Sequence, residues 1–287
     1  MPLSGRNVID RIREEYYGLT AAEKKTADYV LRSPRESQFL SIAELADESG
    51  VAEATVSRFC RRLGYQGYHA FKLALANATA RQSSSTDGLT GQIREDDSLE
   101  DMCRKLYSAD VTAITETLNL IRPEQITRAV QLLSEADKVL CMGQGGSMVM
   151  AQETAHLFST VSGKFFAVSD SHMQTIAIAN MTERDVLLFF SYSGSTRDLI
   201  EALTVARERH AKIILVTRFA RSPGGELADL VLSCGSDESP LQLSSVPAKM
   251  AQMFLTDVLF SEYCRRDLEN CQAARERVAS ALMDKHL

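Results

Sequence analysis

Five consecutive apolar residues, Val186-Leu187-Leu188-Phe189-Phe190, run directly into Ser191-Tyr192-Ser193-Gly194-Ser195-Thr196. The pattern predicts a buried strand that empties into a hydroxyl-rich loop, with a helix opening near Thr196. Four Ser and Thr hydroxyls and the free backbone N–H groups of such a loop, set against the positive end of a helix dipole, suit a phosphate group. No carboxylate lies inside the loop to repel an anion.

Other candidate strands are 138–142, 164–168, 212–217 and 229–233, so with 185–190 there are five, each short and rich in β-branched, aromatic or aliphatic residues. Helical segments separate most of them, which is the signature of a parallel sheet with crossover helices. Upstream, 98–136 reads as helix with a new start at Pro123, and a last helical stretch begins near Ala248. Residues 1 to about 77 read as all helix: Val8, Ile9 and Ile12 mark one stripe, and Ala27, Val30 and Leu31 another. Thr20 with Glu23 and Ser41 with Glu44 fit capping boxes. Between these regions 81–97 is rich in Ser, Gly and acid with no apolar period, which suits a linker. The expected division is a helical domain at 1–80, a linker at 81–97 and an α/β domain at 98–287, as a chain of 287 residues can bury two cores.

Charge separates the two parts. Residues 1–80 carry 11 basic and 10 acidic side chains, net +1, and the rest carry 21 and 28, net −7. Any nucleic acid is therefore expected at the first part. No apolar run approaches the roughly 18–20 residues of a membrane span, and Met-Pro-Leu-Ser-Gly-Arg is not a secretory signal, so a cytoplasmic protein with no membrane partner is expected. Cys60, Cys103, Cys141, Cys234, Cys264 and Cys271 show no metal-ligand spacing and read as buried thiols. No metal is expected.

Within the first part, Ile42, Leu45 and Ala46 form one apolar face, Gly50-Val51 a turn, and Val56, Phe59, Cys60 and Leu63 recur at i, i+3, i+4 and i+7. Two short helices joined by a glycine turn describe a helix-turn-helix, whose second helix enters the major groove. The outer side of that helix is expected to carry Thr55, Ser57, Arg58, Arg61 and Arg62, with Glu53 near its start. Arginine suits the task because its planar fork bonds guanine O6 and N7 together or clamps a phosphate.

The stretches Ser41-Ile42-Ala43-Glu44-Leu45-Ala46 and Val51 to Tyr65, with Gly67-Tyr68 and Phe71-Lys72, resemble the RpiR family of bacterial transcriptional regulators. The family joins such a domain to a sugar isomerase (SIS) domain that binds phosphosugars, and the resemblance covers nearly the whole chain. One departure is Ala52, where family members often carry Ser, a lost helix cap worth about 1 kcal/mol.

The resemblance gives the second glycine loop a meaning. Val139-Leu140-Cys141-Met142 leads into Gly143-Gln144-Gly145-Gly146-Ser147; the dinucleotide spacing GxGxxG would need Gly at Met148, so no nicotinamide cofactor, or any other, is expected. Paired with 191–196, this loop is similar to the two phosphosugar-binding segments of SIS domains. By that likeness Ser147, Ser191, Ser193 and Thr196 supply the hydroxyls that bind the ligand, with Gly145, Gly194 and Ser195 completing the two loops; the cluster Asp170, Ser171, His172 and Gln174, which follows the strand at 164–168, is expected to line the same crevice and bond sugar hydroxyls, His172 among them. Residues 241–252, with Ser244, Ser245, Lys249 and Gln252, resemble the family segment that closes over the ligand.

The implied function is a homodimeric or homotetrameric regulator that binds double-stranded operator DNA and senses a phosphorylated sugar or sugar acid, without catalysis. Two rivals stand beside it. One is a phosphosugar isomerase or lyase, for which Glu238 and His172 are the candidate bases; the other is an assembly module that binds neither ligand.

Overall fold

A computed structural model describes residues 8–82, 93–236 and 245–283; Glu238, Ser244 and most of the expected linker lie outside them. The chain divides into two units, the first running through Ser108 and the second beginning at Ala109.

The first unit contains α1 (Val8–Glu15), α2 (Ala21–Arg32), α3 (Pro34–Ser37), α4 (Ile42–Ser49), α5 (Glu53–Arg62) and α6 (Tyr68–Gln82). Both capping boxes form. The Ser41 N–H donates to Glu44 Oε2 at 2.8 Å while the Glu44 N–H donates to Ser41 Oγ at 3.2 Å, and Thr20 with Glu23 repeats the arrangement. Pro34 at the first position of α3 follows the end of α2 at Ser33. Ile12, Val30, Leu45, Phe59 and Phe71 fill one core, in which the Phe59 and Phe71 rings meet edge to face at 5.6 Å.

A long helix, α7 (Leu99–Leu120), begins in the first unit and ends in the second. Then follow α8 (Pro123–Glu135), β1 (Val139–Gly143), α9 (Gly146–Ser159), β2 (Phe165–Ala167), α10 (Ser171–Ala179), β3 (Val186–Phe190), α11 (Arg197–Glu208), β4 (Lys212–Thr217), α12 (Pro223–Leu227), β5 (Leu230–Ser233), α13 (Val246–Arg266) and α14 (Leu268–Met283). The five strands form one all-parallel sheet in the order β2-β1-β3-β4-β5. Helices cover both faces, which explains why β3 is apolar at every position. Val186, Leu188 and Phe190 enter the core beneath α8, α9 and α13, whereas Leu187 and Phe189 enter a second core with α10 and α11.

Five of the six cysteines are buried, but Cys103 stands exposed on α7. The sequence expectation of six buried thiols fails there because α7 buries only Ala113 and Thr117 in its length. Burial pushes the Cys60 and Cys141 thiols up to about 12, so both stay protonated at neutral pH.

At the end of α13, Glu262 accepts two bonds from Arg265, at 2.7 and 3.0 Å, and one from Arg266 at 2.8 Å. These bonds hold its carboxyl down to about 2. A carboxyl whose pKa falls on folding adds stability above its unfolded pKa, near 4.5, and loses it as pH drops through the folded value. Arg265 is mostly exposed, so solvent screening limits the gain to about 0.5–1 kcal/mol. Urea unfolding is expected to find Glu262→Gln less stable by that amount at pH 7, with the gap closing from pH 4.5 toward 2. A gap independent of pH would contradict the assignment.

Candidate DNA-binding helix and effector loops

Gly50 closes α4 with φ +62°, donating its N–H to Asp47 O at 2.9 Å, and Val51 N–H returns to Ala46 O at 2.9 Å. A left-handed residue ends one helix and redirects the chain into the next within three residues. Ala52 is the N-cap of α5 and makes no side-chain cap. Along α5, Val56, Phe59 and Cys60 are buried, Ser57 is half-buried, and Glu53, Arg58 and Arg61 are exposed.

Of the residues expected on the outer side, Thr55 is placed otherwise, and Arg62, although exposed, is engaged by the fold. Thr55 is buried, and its hydroxyl accepts a bond from Arg58 Nη2 at 3.2 Å. It lies one residue before Val56 in the first turn, on the flank of the buried stripe, so its side chain supports Arg58 from beneath. Arg62 keeps an exposed flank but reaches back to the Gly18 carbonyl and stands 3.5 Å from the buried Glu23 carboxylate. Glu23 Oε2 also accepts from Thr20 N–H and Thr20 Oγ1, each at 2.8 Å. Burial raises the Glu23 carboxyl pKa, but the Thr20 bonds and the charges of Arg62 and Arg58 outweigh it and leave the group below its usual range. Arg62 thereby ties α5 to the start of α2 while it stays exposed, as Arg58 and Arg61 also are.

In the second unit, the register Gly143↔Phe190 sets the ends of β1 and β3 side by side. The order of the sheet reverses between these strands: β2 follows on one side of β1 and β3 to β5 on the other, and in open α/β sheets ligands bind outside the carboxyl ends of the strands at such a reversal. The loops leading to Ser147 and Thr196 flank it. Gly143 is required by packing, since a Cβ there would lie 2.8 Å from the Ser147 backbone. Gly145 has φ +54° and is exposed, and Ser147 is half-buried in the first turn of α9.

Ser191 is buried, and its N–H donates to Val216 O at 3.0 Å, tying the loop to the adjacent strand. Ser193 is half-buried and its Oγ accepts from Ser195 N–H at 3.4 Å. Gly194 is buried with φ +61°, and its carbonyl accepts from Gly224 N–H at 2.8 Å. Ser195 and Thr196 are exposed, and Thr196, although the N-cap of α11, spends no side-chain bond on capping. The cluster after β2 divides. Asp170 caps α10 through Met173 N–H at 2.9 Å, and His172 is exposed in its first turn. Gln174 is buried and joins strand ends, donating to Val168 O at 2.8 Å and Gly143 O at 3.2 Å and accepting from Gln144 Nε2 at 2.7 Å. Its amide is thus bonded on both sides within the fold. Of residues 241–252, Lys249 is half-buried and Gln252 buried in α13.

Sequence reasoning did not find Tyr192, Thr217 and Ser222 as the frame of the second loop. Thr217 Oγ1 donates to Tyr192 O at 3.0 Å, and Ser222 caps α12 beside Gly194. Their signal lies in packing between segments 20 to 30 residues apart, which no local motif carries.

Residues 6–82 match the model of the helix-turn-helix domain of the rpiR family, and residues 132–262 match the SIS domain. The HTH-type transcriptional regulator YfhH of Escherichia coli is 34% identical over 97% of this chain and 99% of its own. This chain belongs to the rpiR family of helix-turn-helix transcriptional regulators. The RpiR-type regulator is also 30% identical to HexR of Pseudomonas aeruginosa, over 97% of its own length and 96% of that protein's. Its fold matches the structure of Vibrio vulnificus NanR complexed with ManNAc-6P, with a TM-score of 0.86 and 24% identity, covering 98% of this chain and 100% of that one. Among the described residues, no helix of this RpiR-type regulator is long and apolar enough to cross a membrane, and no group of three or more His, Cys, Asp or Glu could hold a metal.

Proposed function

We propose that this regulator binds double-stranded operator DNA through Arg58 and Arg61 on α5, with Glu53 and Ser57 nearby, and binds a phosphorylated sugar or sugar acid in the crevice between the loops after β1 and β3. The observation that carries the second half is the pairing of Gly143 with Phe190, which juxtaposes two Gly- and Ser-rich loops where the sheet order reverses. Ser147, Ser193, Ser195 and Thr196 are the hydroxyls available there, Gly145 lets the ligand approach the backbone, and the start of α11 adds a helix dipole for the phosphate. Ser191 and Gly194 hold the loop, and His172 stands at the rim on α10.

In this reading the protein senses and does not turn over its ligand, acts in the cytoplasm as a homodimer or homotetramer, and keeps the limits of 1–80 for the DNA-binding domain, 81–97 for the linker and 98–287 for the sensor domain. Linkage supplies the mechanism: if the effector favours an arrangement in which two α5 helices no longer match half-sites one helical turn apart, it weakens DNA binding, and DNA weakens effector binding by the same factor.

Thermal unfolding against aldose, ketose, N-acetylhexosamine and sugar-acid phosphates tests the site. A ligand at about 100 times its Kd adds roughly 2.7 kcal/mol of stability, and the Ser193→Ala/Thr196→Ala double variant is expected to lose that shift. A preserved shift would reject the site, and turnover of any of these compounds would favour an isomerase.

A further inference from the structure

The loop after β3 is bonded to a second structural feature besides its own frame. The Tyr192 hydroxyl donates to the Ser236 carbonyl at 2.9 Å, and the Ser236 N–H donates to Glu116 Oε2 on α7 at 3.0 Å. One residue earlier, the Gly235 N–H donates at 2.9 Å to the Thr117 hydroxyl, which itself donates to Ala113 O at 2.7 Å. Ser236 and Thr117 are buried. The fit against α7 is close, because a Cβ on Gly235 would lie 2.4 Å from Glu116 Cβ and 2.9 Å from the Thr117 backbone nitrogen.

Ser236 has φ +111°, a left-handed backbone that serine rarely adopts. Such a conformation persists when its surroundings over-determine it, and here both of its peptide groups are held, one by Tyr192 and one by Glu116. The exit of β5 is therefore a junction with stored strain, bonded on one side to the loop between Ser191 and Thr196 and on the other to α7. That helix runs unbroken through Ser108 and Ala109, where the two units divide.

We propose that Glu116 and Thr117 are positioning residues that couple the effector loop to α7, so that occupancy of the crevice, felt at Tyr192, changes the hold of Ser236 on this helix and thereby the operator affinity of the first unit. The inference rests on the effector reading above. It requires that the two bonds at Ser236 differ between the liganded and unliganded states, since a ligand shifts an equilibrium only by its differential interaction with the two states.

The test uses the full chain, an operator selected from a random duplex pool, and as probe the sugar phosphate giving the largest thermal shift in the set above. Operator Kd is measured with and without saturating probe, and probe Kd by calorimetry. Wild type is expected to show a coupling factor within the usual 5- to 150-fold span, about, and Glu116→Ala to reduce it to about threefold or less with each separate affinity nearly unchanged. Glu116→Gln, whose amide oxygen still accepts from Ser236, restores the coupling, which a general loss of stability would not do. Thr117→Val and Tyr192→Phe lower the coupling in the same direction. Full coupling in Glu116→Ala overturns the relay alone. A wild type that binds no probe overturns the effector reading and the relay together.

Discussion

Arg58→Ala and Arg61→Ala are each expected to weaken operator binding by about 1–3 kcal/mol if the guanidinium reads a base, and to lower the salt slope by about 0.9 if it neutralises a phosphate. Both side chains stand on the exposed side of α5, whose opposite side is fixed in the core by Val56, Phe59 and Cys60. Arg62→Ala is the informative contrast. Its guanidinium is engaged with Gly18 O and Glu23, so its loss is expected to lower the stability of the first unit and leave the salt slope unchanged. Fluorescence anisotropy with the selected operator at 50–200 mM salt, about the range where such slopes are measured, separates the two classes. A slope that falls for Arg62→Ala and holds for Arg58→Ala and Arg61→Ala would reverse the assignment. Thr55→Val is expected to act through Arg58, because the Thr55 hydroxyl bonds that guanidinium from within the fold.

Gly194→Ala carries the largest expected cost to stability. Its φ of +61° charges an L side chain about 1–2 kcal/mol, and the new methyl carbon would meet Ser222 Oγ at 2.1 Å, Ser222 Cβ at 2.8 Å and Thr217 Oγ1 at 3.1 Å. Neither neighbour yields easily: Ser222 caps α12 through Gly225 N–H at 3.2 Å, and Thr217 holds Tyr192 O. Overpacking of this kind adds about 1–3 kcal/mol, so the total is about 2–5 kcal/mol. In a unit of this size each kcal/mol moves Tm by about 2–4 °C. Ser222→Gly removes the two closest obstacles and is expected to recover the overpacking part in a double-mutant cycle, while the backbone cost remains. An unchanged Tm for Gly194→Ala would mean that the loop does not hold the geometry described.

Much of this architecture is legible one residue at a time. The runs at 138–142, 185–190 and 212–217 become β1, β3 and β4 with shifts of at most one residue at their ends, because a strand buried on both faces must be apolar throughout. Thr20 with Glu23 and Ser41 with Glu44 cap helices as their spacing requires, since a capping box closes within four residues. The rpiR and SIS assignments were carried by motifs of this local kind. Other residues resist such reading. Thr55 sits at the edge of a helical stripe, where a few degrees decide between groove and core. Gln174 looks like a loop polar residue suited to a sugar hydroxyl, yet three strand-end and loop partners 6 to 31 residues away consume its amide. Cys103 has the helical context from which a buried thiol is expected, but its neighbours Asp101, Arg104 and Lys105 are charged and the face of α7 that carries it is exposed.

By itself the amino-acid sequence determined the class of each element, the glycine turn between α4 and α5, and the two hydroxyl-bearing loops, because backbone dihedral preference, side-chain period and capping act over a few residues. Only the tertiary structure decided that Arg62 is engaged with Gly18 and Glu23, which polar groups the core consumes, and that Tyr192, Ser236 and Glu116 meet across 44 and 120 residues of chain. Those outcomes depend on how segments pack in three dimensions, and a buried hydrogen bond is worth making wherever its partner arrives, however far apart the two lie in sequence.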